Sequence, residues 1–359
     1  MNTTRSWAEK TTLDVGYLRL TDAAPFIVAC ELGIFEEHGL TVNLHQEISW
    51  ANIRDKLVSG RLDAAQMLAP LPAMSTLGAS GLRAPVLTGL VLSSNGNAIT
   101  LNSNLSHEAT ALIARGTVSN MPQALIHIAA ERGSRPTLAT VHAFSTHTIL
   151  VRRWLSQHGV HPDKDVSTLV VPPSQMVDSL QAGIVDGYCV GEPWNTIAAV
   201  RGVGTTIALG QQIWPDAPEK VLGVSAEWHD EHPHTHLRLR QSLLQACGWL
   251  AEPDHLSQVA RMLAQPHYLD VPPECLFPAP LGRSSDGLND VVMHRFYGRE
   301  INRPDHERAL ALIRGCGDLL GTPLSADAAL ALAQQSWRPD LYEQTLAANA
   351  ALLGDLAPT

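Results

Sequence analysis

The sequence predicts an α/β fold of two similar lobes. Short apolar runs alternate with helix-like stretches through the first two-thirds of the chain, and the alternation restarts near residue 135. One phrase also occurs in both halves: LVSGRLDAAQML at Leu57–Leu68 and LQAGIVDGYCV at Leu180–Val190. Each copy runs helix, Gly, apolar residue, Asp, small residue, strand. Ordinary αβ-turn chemistry, with Gly at the helix end, explains the same pattern without duplication.

The elements follow in order. Leu13–Leu20 reads as a strand, Ala23–His38 as a helix stopped by Gly39, and Leu40–Gln46 as an alternating strand. Ile53–Ser59 is a helix stopped by Gly60, and Ala64–Leu68 and Val86–Leu92 are strands. Strand–helix–strand order implies parallel pairing. In the second half, strands at Arg135–Val141, Ser167–Val171 and Val185–Val190 alternate with helices at Ser145–His158, Ser174–Ala182 and Pro193–Arg201. Ser145 is placed to cap its helix. Beyond about Val221, helices at Thr235–Leu250, His255–Leu263, Arg308–Leu319 and Ala326–Gln334 flank a proline-rich stretch, Pro266–Arg283, expected as an ordered surface loop.

Composition narrows the function. A chain of 359 residues suits about two domains. With 45% hydrophobic and 17% charged residues it can bury a core, which excludes disorder. A net charge of −10 argues against nucleic acid or an anionic membrane as the main direct partner. No stretch approaches the ~18 consecutive apolar residues of a membrane helix. Met1–Lys10 is polar, and neither a signal peptide nor a lipoprotein cysteine is read near the start. Cys30, Cys189, Cys247, Cys275 and Cys316 are scattered with no CxxC pair, as expected of buried thiols in a reducing compartment.

Ligands of open α/β sheets sit beyond the carboxyl ends of strands, and two lobes imply a cleft between them. Candidate site residues therefore lie just after the strands. Trp50, after the Leu40–Gln46 strand, offers an indole face and one N–H, or packs the loop. Gly96 and Asn97 lie in SSNGNAIT; Asn97 can donate an amide N–H, and the same residues make a common turn. His147 falls in the first turn of a helix, where free N–H groups favour anions. Glu192 and Trp194, in VGEPWN, mark another strand end and helix start. Lys220 precedes an apolar strand and can point into the cleft or out to solvent.

Enzyme signatures are missing: no GxSxG, no GxGxxG after a strand, no GxxxxGK[ST] and no HExxH. His232, His234 and His236 lack companion ligands at metal spacing and read as a solvated turn. Asp63 and Asp186 sit at equivalent places in the repeated turn, where structural hydrogen bonding accounts for them. No metal, cofactor or catalytic residue is expected.

Six phrases together resemble one family: LTDAAPFIVACELGIFEEHGL (Leu20–Leu40), SWANIRDKL (Ser49–Leu57), LAPLPAM (Leu68–Met74), STHTILVRRWL (Ser145–Leu155), VGEPWN (Val190–Asn195) and APEKVLG (Ala217–Gly223). They are similar to the nitrate/bicarbonate-binding branch of type II periplasmic binding proteins. The resemblance implies a two-lobed type II periplasmic-binding-protein fold with a ligand cleft between the lobes. It implies lobe I at residues 12–105 plus 221–359, and an inserted lobe II at 106–220. Carried over by motif, the nitrate-holding residues are Trp50, Asn97 (where the family has Gln), His147 and Lys220, with Gly96, Glu192 and Trp194 behind them.

Nitrate and nitrite need donors and positive charge and no acceptor, which Lys220, His147, Asn97 and Trp50 supply; bicarbonate also needs an acceptor for its hydroxyl. The start of the chain resembles that of cytoplasmic NasS-type nitrate sensors. That implies a partner of the NasT type, an RNA-binding antiterminator with an ANTAR domain, released when nitrate binds. A substrate-binding component of an ABC-type nitrate or bicarbonate transporter is the alternative. A third class, enzymes of pyrimidine-precursor synthesis, fits less well because no cysteine-rich motif is present.

Overall fold

A computed structural model describes residues 8–79, 81–276, 294–321 and 323–354. Among them the strands are β1 (Thr12–Leu18), β2 (Thr41–Glu47), β3 (Ala64–Leu68), β4 (Val86–Leu87), β5 (Val91–Asn95), β6 (Asn97–Asn102), β7 (Thr137–Thr140), β8 (Ser167–Val170), β9 (Gly187–Gly191), β10 (Gly204–Leu209), β11 (Pro218–Ser225) and β12 (His294–Arg295). They form two sheets. One has the order β12-β5-β11-β3-β1-β2, with β4 also on β11; the other has the order β10-β6-β9-β7-β8. The chain passes to the second sheet at Gly96 and returns between Leu209 and Pro218.

Each sheet is built around the same unit. β1 pairs in parallel with β2 and β3, and β7 pairs in parallel with β8 and β9. An antiparallel strand then joins β3 or β9: β11 in the first sheet and β6 in the second. The repeated turn performs the same task in both. Gly60 and Gly183 take φ of 70° and 68°, a left-handed conformation that glycine adopts without a Cβ penalty. The aspartate that follows clasps the neighbouring strand twice. Asp63 donates its backbone N–H to Asp14 O (2.8 Å) and accepts Asp14 N–H on Oδ2 (2.9 Å). Asp186 does the same with Thr137, at 2.8 and 2.7 Å. Both are structural, as expected.

Local chemistry sets most boundaries. Ser145 Oγ accepts Thr148 N–H (3.1 Å) at the start of the Thr146–Gln157 helix, and Ser49 Oγ accepts Asn52 N–H (3.2 Å) at the start of Trp50–Val58. Such caps contribute about 1 kcal/mol each. Three expectations need correction. The single helix Ala23–His38 is two, Ala24–Glu31 and Ile34–Glu37, because Gly33 at φ 70° interrupts it. The Val86–Leu92 strand is broken between β4 and β5. The HPHTH segment is not a solvated turn: it opens the Pro233–Leu250 helix, and His236 is buried, its Nδ1 2.9 Å from His229 Nδ1. In the Pro266–Arg283 stretch, residues 277–283 lie outside the described residues.

A continuous apolar core underlies the first sheet and runs into the second lobe, with a separate cluster around Leu101, Leu125, Leu150 and Trp154. Among the described residues no helix is long and apolar enough to cross a membrane.

Candidate functional site

The sequence-derived candidates come from both lobes. Trp50, fully buried, is the first residue of its helix after β2. Lys220 lies on β11, Asn97 opens β6, and His147 sits in the first turn of the Thr146–Gln157 helix after β7. The structure brings Asn97, His147 and Lys220 around one carboxylate, that of Glu219. Asn97 Nδ2 donates to Glu219 Oε2 (2.6 Å), and Lys220 Nζ donates to Oε1 (2.6 Å). His147 Nδ1 stands 3.3 Å from Oε1. Lys220 Nζ also lies 5.0 Å from the Trp50 ring centroid, within cation–π range. Lys220 and His147 are wholly inaccessible to solvent, and Asn97 is 1% exposed.

Two acids at the heart of this cluster were not anticipated. Asp22, in the short turn Thr21–Ala23 after β1, sets Oδ2 2.7 Å from Lys220 Nζ. Its Oδ1 accepts Gln66 Nε2 (2.5 Å), and Gln66 Oε1 accepts Leu18 N–H (3.0 Å), so the carboxylate is held from the backbone of β1. Glu219 is the second acid. Both lie inside phrases read in the sequence, LTDAAPF and APEKVLG, but strand alternation points neighbours such as Glu219 and Lys220 to opposite faces. The register explains the exception. Pro218 pairs with Ser94 and Lys220 with Ser93, so two residues of β11 step past one of β5. Val221 then pairs with Val91, so the register against β5 shifts on both sides of Lys220 and strict alternation does not hold there.

Burial governs the charges. It raises the Asp22 carboxyl, with Lys220 pulling the other way. It likewise raises Glu219, to about 7, despite the ammonium beside it. Burial works against the Lys220 ammonium, but Asp22 and Glu219 outweigh it and hold the group charged. His147 falls well below its ordinary value through burial and then through the Lys220 charge, so its imidazole is neutral. It therefore offers one N–H and one acceptor nitrogen.

Several polar atoms of the site have no hydrogen-bond partner in the protein among the described residues: Trp50 Nε1, both ring nitrogens of His147, and Asn97 Oδ1. Native interiors rarely leave buried donors unsatisfied. Space for the Asn97 amide comes from Gly210, where an added Cβ would lie 1.9 Å from Asn97 Oδ1.

The remaining candidates sit where the lobes touch. Glu192 O accepts both Thr21 N–H (2.8 Å) and Thr21 Oγ1–H (3.2 Å), and Trp194 Nε1 donates to Arg19 O (3.1 Å). Gly96 O accepts Glu192 N–H (3.0 Å), and Gly96, at φ 81°, packs under the His294 ring. Thr146, another residue the sequence reading passed over, donates Oγ1–H across the lobes to Pro218 O (2.8 Å).

Two α/β lobes thus meet at a buried cation and convergent N–H groups. A profile of the NMT1-like family matches residues 6–264, and the chain belongs to that family. Its fold is the two-lobed periplasmic-binding-protein fold. The crystal structure of the periplasmic nitrate-binding protein NrtA from Synechocystis PCC 6803 superposes with a TM-score of 0.85 at 27% identity, over 96% of this chain and 90% of that one. The bicarbonate transport ATP-binding protein CmpC of Synechocystis is 40% identical over 311 residues, covering 85% of this chain and 45% of the relative. The nitrate import ATP-binding protein NrtC of the same organism is 38% identical over 313 residues, with the same coverage. The chain thus spans about half the length of these curated relatives. This sequence has no GxxxxGK[ST] stretch, so the shared half contains no P-loop of that form.

Proposed function

We propose that the chain is the oxyanion-binding unit of an ABC-type nitrate or bicarbonate uptake system, and that it takes a small planar monoanion between its lobes. One observation carries this: the Lys220 ammonium lies among buried N–H groups of Asn97, His147 and Trp50, and those of Trp50 and His147 have no hydrogen-bond partner among the described residues. An unsatisfied buried donor costs about 1–3 kcal/mol, a cost that an incoming anion would relieve. Kinship with NrtA, CmpC and NrtC supports the same class of ligand. The donors alone favour nitrate or nitrite. Asp22 and Glu219 add acceptors that suit the hydroxyl of bicarbonate, so the ligand set is nitrate, nitrite and bicarbonate. Binding-protein relatives such as NrtA fit a chain that binds rather than catalyses.

Calorimetry with nitrate, nitrite, bicarbonate and sulfate tests this. At least one monoanion is expected to bind, sulfate is not, and Lys220→Met is expected to weaken binding at least a hundredfold. Binding of none of the monoanions, or wild-type affinity in Lys220→Met, would refute it.

A second reading uses the same site: a cytoplasmic sensor that holds an ANTAR-domain antiterminator and frees it on ligand binding. The five cysteines, all present as free thiols, favour a reducing compartment. Release requires the anion to prefer the free protein over the complex. Co-purification with an ANTAR-domain protein, dissolved by nitrate, is the result that favours this reading over transport.

A further inference from the structure

We infer that Glu219 is a built-in competitor for the oxyanion, and that ligand entry is coupled to uptake of a proton by its carboxylate. The inference rests on the reading of Lys220, Asn97 and His147 as anion donors and adds what stands in the anion's way.

The geometry is that of an oxyanion already held. Oε1 takes the Lys220 ammonium at 2.6 Å and lies 3.3 Å from His147 Nδ1, while Oε2 takes the Asn97 amide at 2.6 Å. Two of the four donors read as anion-holding, Lys220 and Asn97, therefore donate to one carboxylate, and the His147 ring stands beside it. A carboxylate is planar, with two oxygens on a trigonal centre, and in that respect matches two of the three oxygens of nitrate or bicarbonate. Glu219 lies where the register of β11 against β5 is irregular, and its carboxylate meets the ammonium of its neighbour Lys220.

A purely structural counter-ion is not required here, because Asp22 already pairs with Lys220 at 2.7 Å. With both acids ionised, one ammonium faces two buried carboxylates, and His147 contributes no charge. The surplus negative charge sits where solvent does not reach, an arrangement that costs several kcal/mol for an unpaired ion. The groups facing Glu219 are Lys220 on the same strand, Asp22 from the turn after β1, His147 from the helix after β7, and Cys189 from β9. Of these, Asp22 repels the carboxylate and Lys220 attracts it. An entering anion adds a further negative charge to the same donors. Protonation of Glu219 removes one, frees Lys220 and Asn97 for the ligand, and leaves a neutral carboxyl able to donate its O–H to it. Burial already holds Glu219 at about 7, so the proton is taken up with little resistance near neutrality.

The test uses nitrate, which carries no proton near neutral pH, or bicarbonate between about pH 7 and 9 if only that anion binds. Affinity of the wild type is expected to fall about tenfold per pH unit above 7, with close to one proton taken up per anion in two buffers of different ionisation enthalpy. Glu219→Gln, of the same shape, is expected to lose that slope and to bind at least tenfold more tightly than wild type at pH 8. Wild-type binding with no pH slope and no proton uptake overturns the inference and leaves the anion-receptor reading standing. An unchanged slope in Glu219→Gln does the same. If neither protein binds any of the anions, the receptor reading itself fails. The proton count on the wild type decides the matter even if Glu219→Gln does not fold.

Discussion

The two lobes share one β-unit, yet they bring opposite chemistry to the interface. The turn after β1 presents Asp22; the helix start at the corresponding place after β7 presents His147. The first lobe supplies the charges, Asp22 with Lys220 and Glu219 on β11, together with the Trp50 indole, whereas the second supplies only neutral groups, Asn97 and His147. The clasping aspartates differ as well. Asp186 accepts Thr137 N–H, while Asp63 accepts Asp14 N–H, the Lys10 ammonium (2.6 Å) and the Trp228 indole N–H (2.9 Å). The same turn is a plain strand clasp in one lobe and an anchor for two distant segments in the other. A local motif therefore specifies the clasp, and the surroundings specify how much rests on it.

The charged half is the one that breaks hardest. Lys220→Met leaves Asp22 and Glu219 buried without their cation, and a loss of about 3–5 kcal/mol is expected in denaturant unfolding. Adding Asp22→Asn to that variant is expected to restore part of it; no recovery would mean that the three groups do not act as one network. Asp63→Ala follows, at about 3 kcal/mol, since it removes the acceptor of a backbone N–H, an indole N–H and the Lys10 ammonium together. Asp186→Ala, which removes one such bond at a half-buried position, is expected to cost about 1 kcal/mol by the same measurement. Equal costs for the two aspartates would erase the contrast between the lobes. His147→Leu is the smallest for folding, within about 1 kcal/mol, because neither ring nitrogen has a hydrogen bond among the described residues to lose, yet it should weaken anion binding about tenfold.

Glu219 adds a pH signature. Its folded value is raised from 4.5 to about 7, so the folded state binds the proton more tightly than the unfolded one. The stabilisation is complete below 4.5 and is lost as pH rises through 7. Thermal melts across that window are expected to decline in wild type and to flatten in Glu219→Gln.

Much of this was legible in the chain. The Gly–Asp turns, the serine caps at Ser145 and the parallel alternation are dictated by neighbours within a few residues, and the structure matches them closely. Gly33 was legible too, but a helix-compatible apolar run masked it. Other features depend on distant partners. The return of β11 into the first sheet beside β3 and β5 is a long-range antiparallel pairing with no local signature. Lys220 alone in sequence is indistinguishable from a solvated lysine until Asp22, almost two hundred residues earlier, is placed against it.

By itself, the sequence determined a two-lobed α/β receptor fold and the residue types able to hold an oxyanion, because helix caps, turns and hydrophobic period act over short distances. Only the tertiary structure decided that the cation between the lobes is already claimed by two acids. Glu219 meets Lys220 where the register of β11 against β5 shifts, and no periodicity along the chain encodes such a shift, since it exists only relative to the strand alongside.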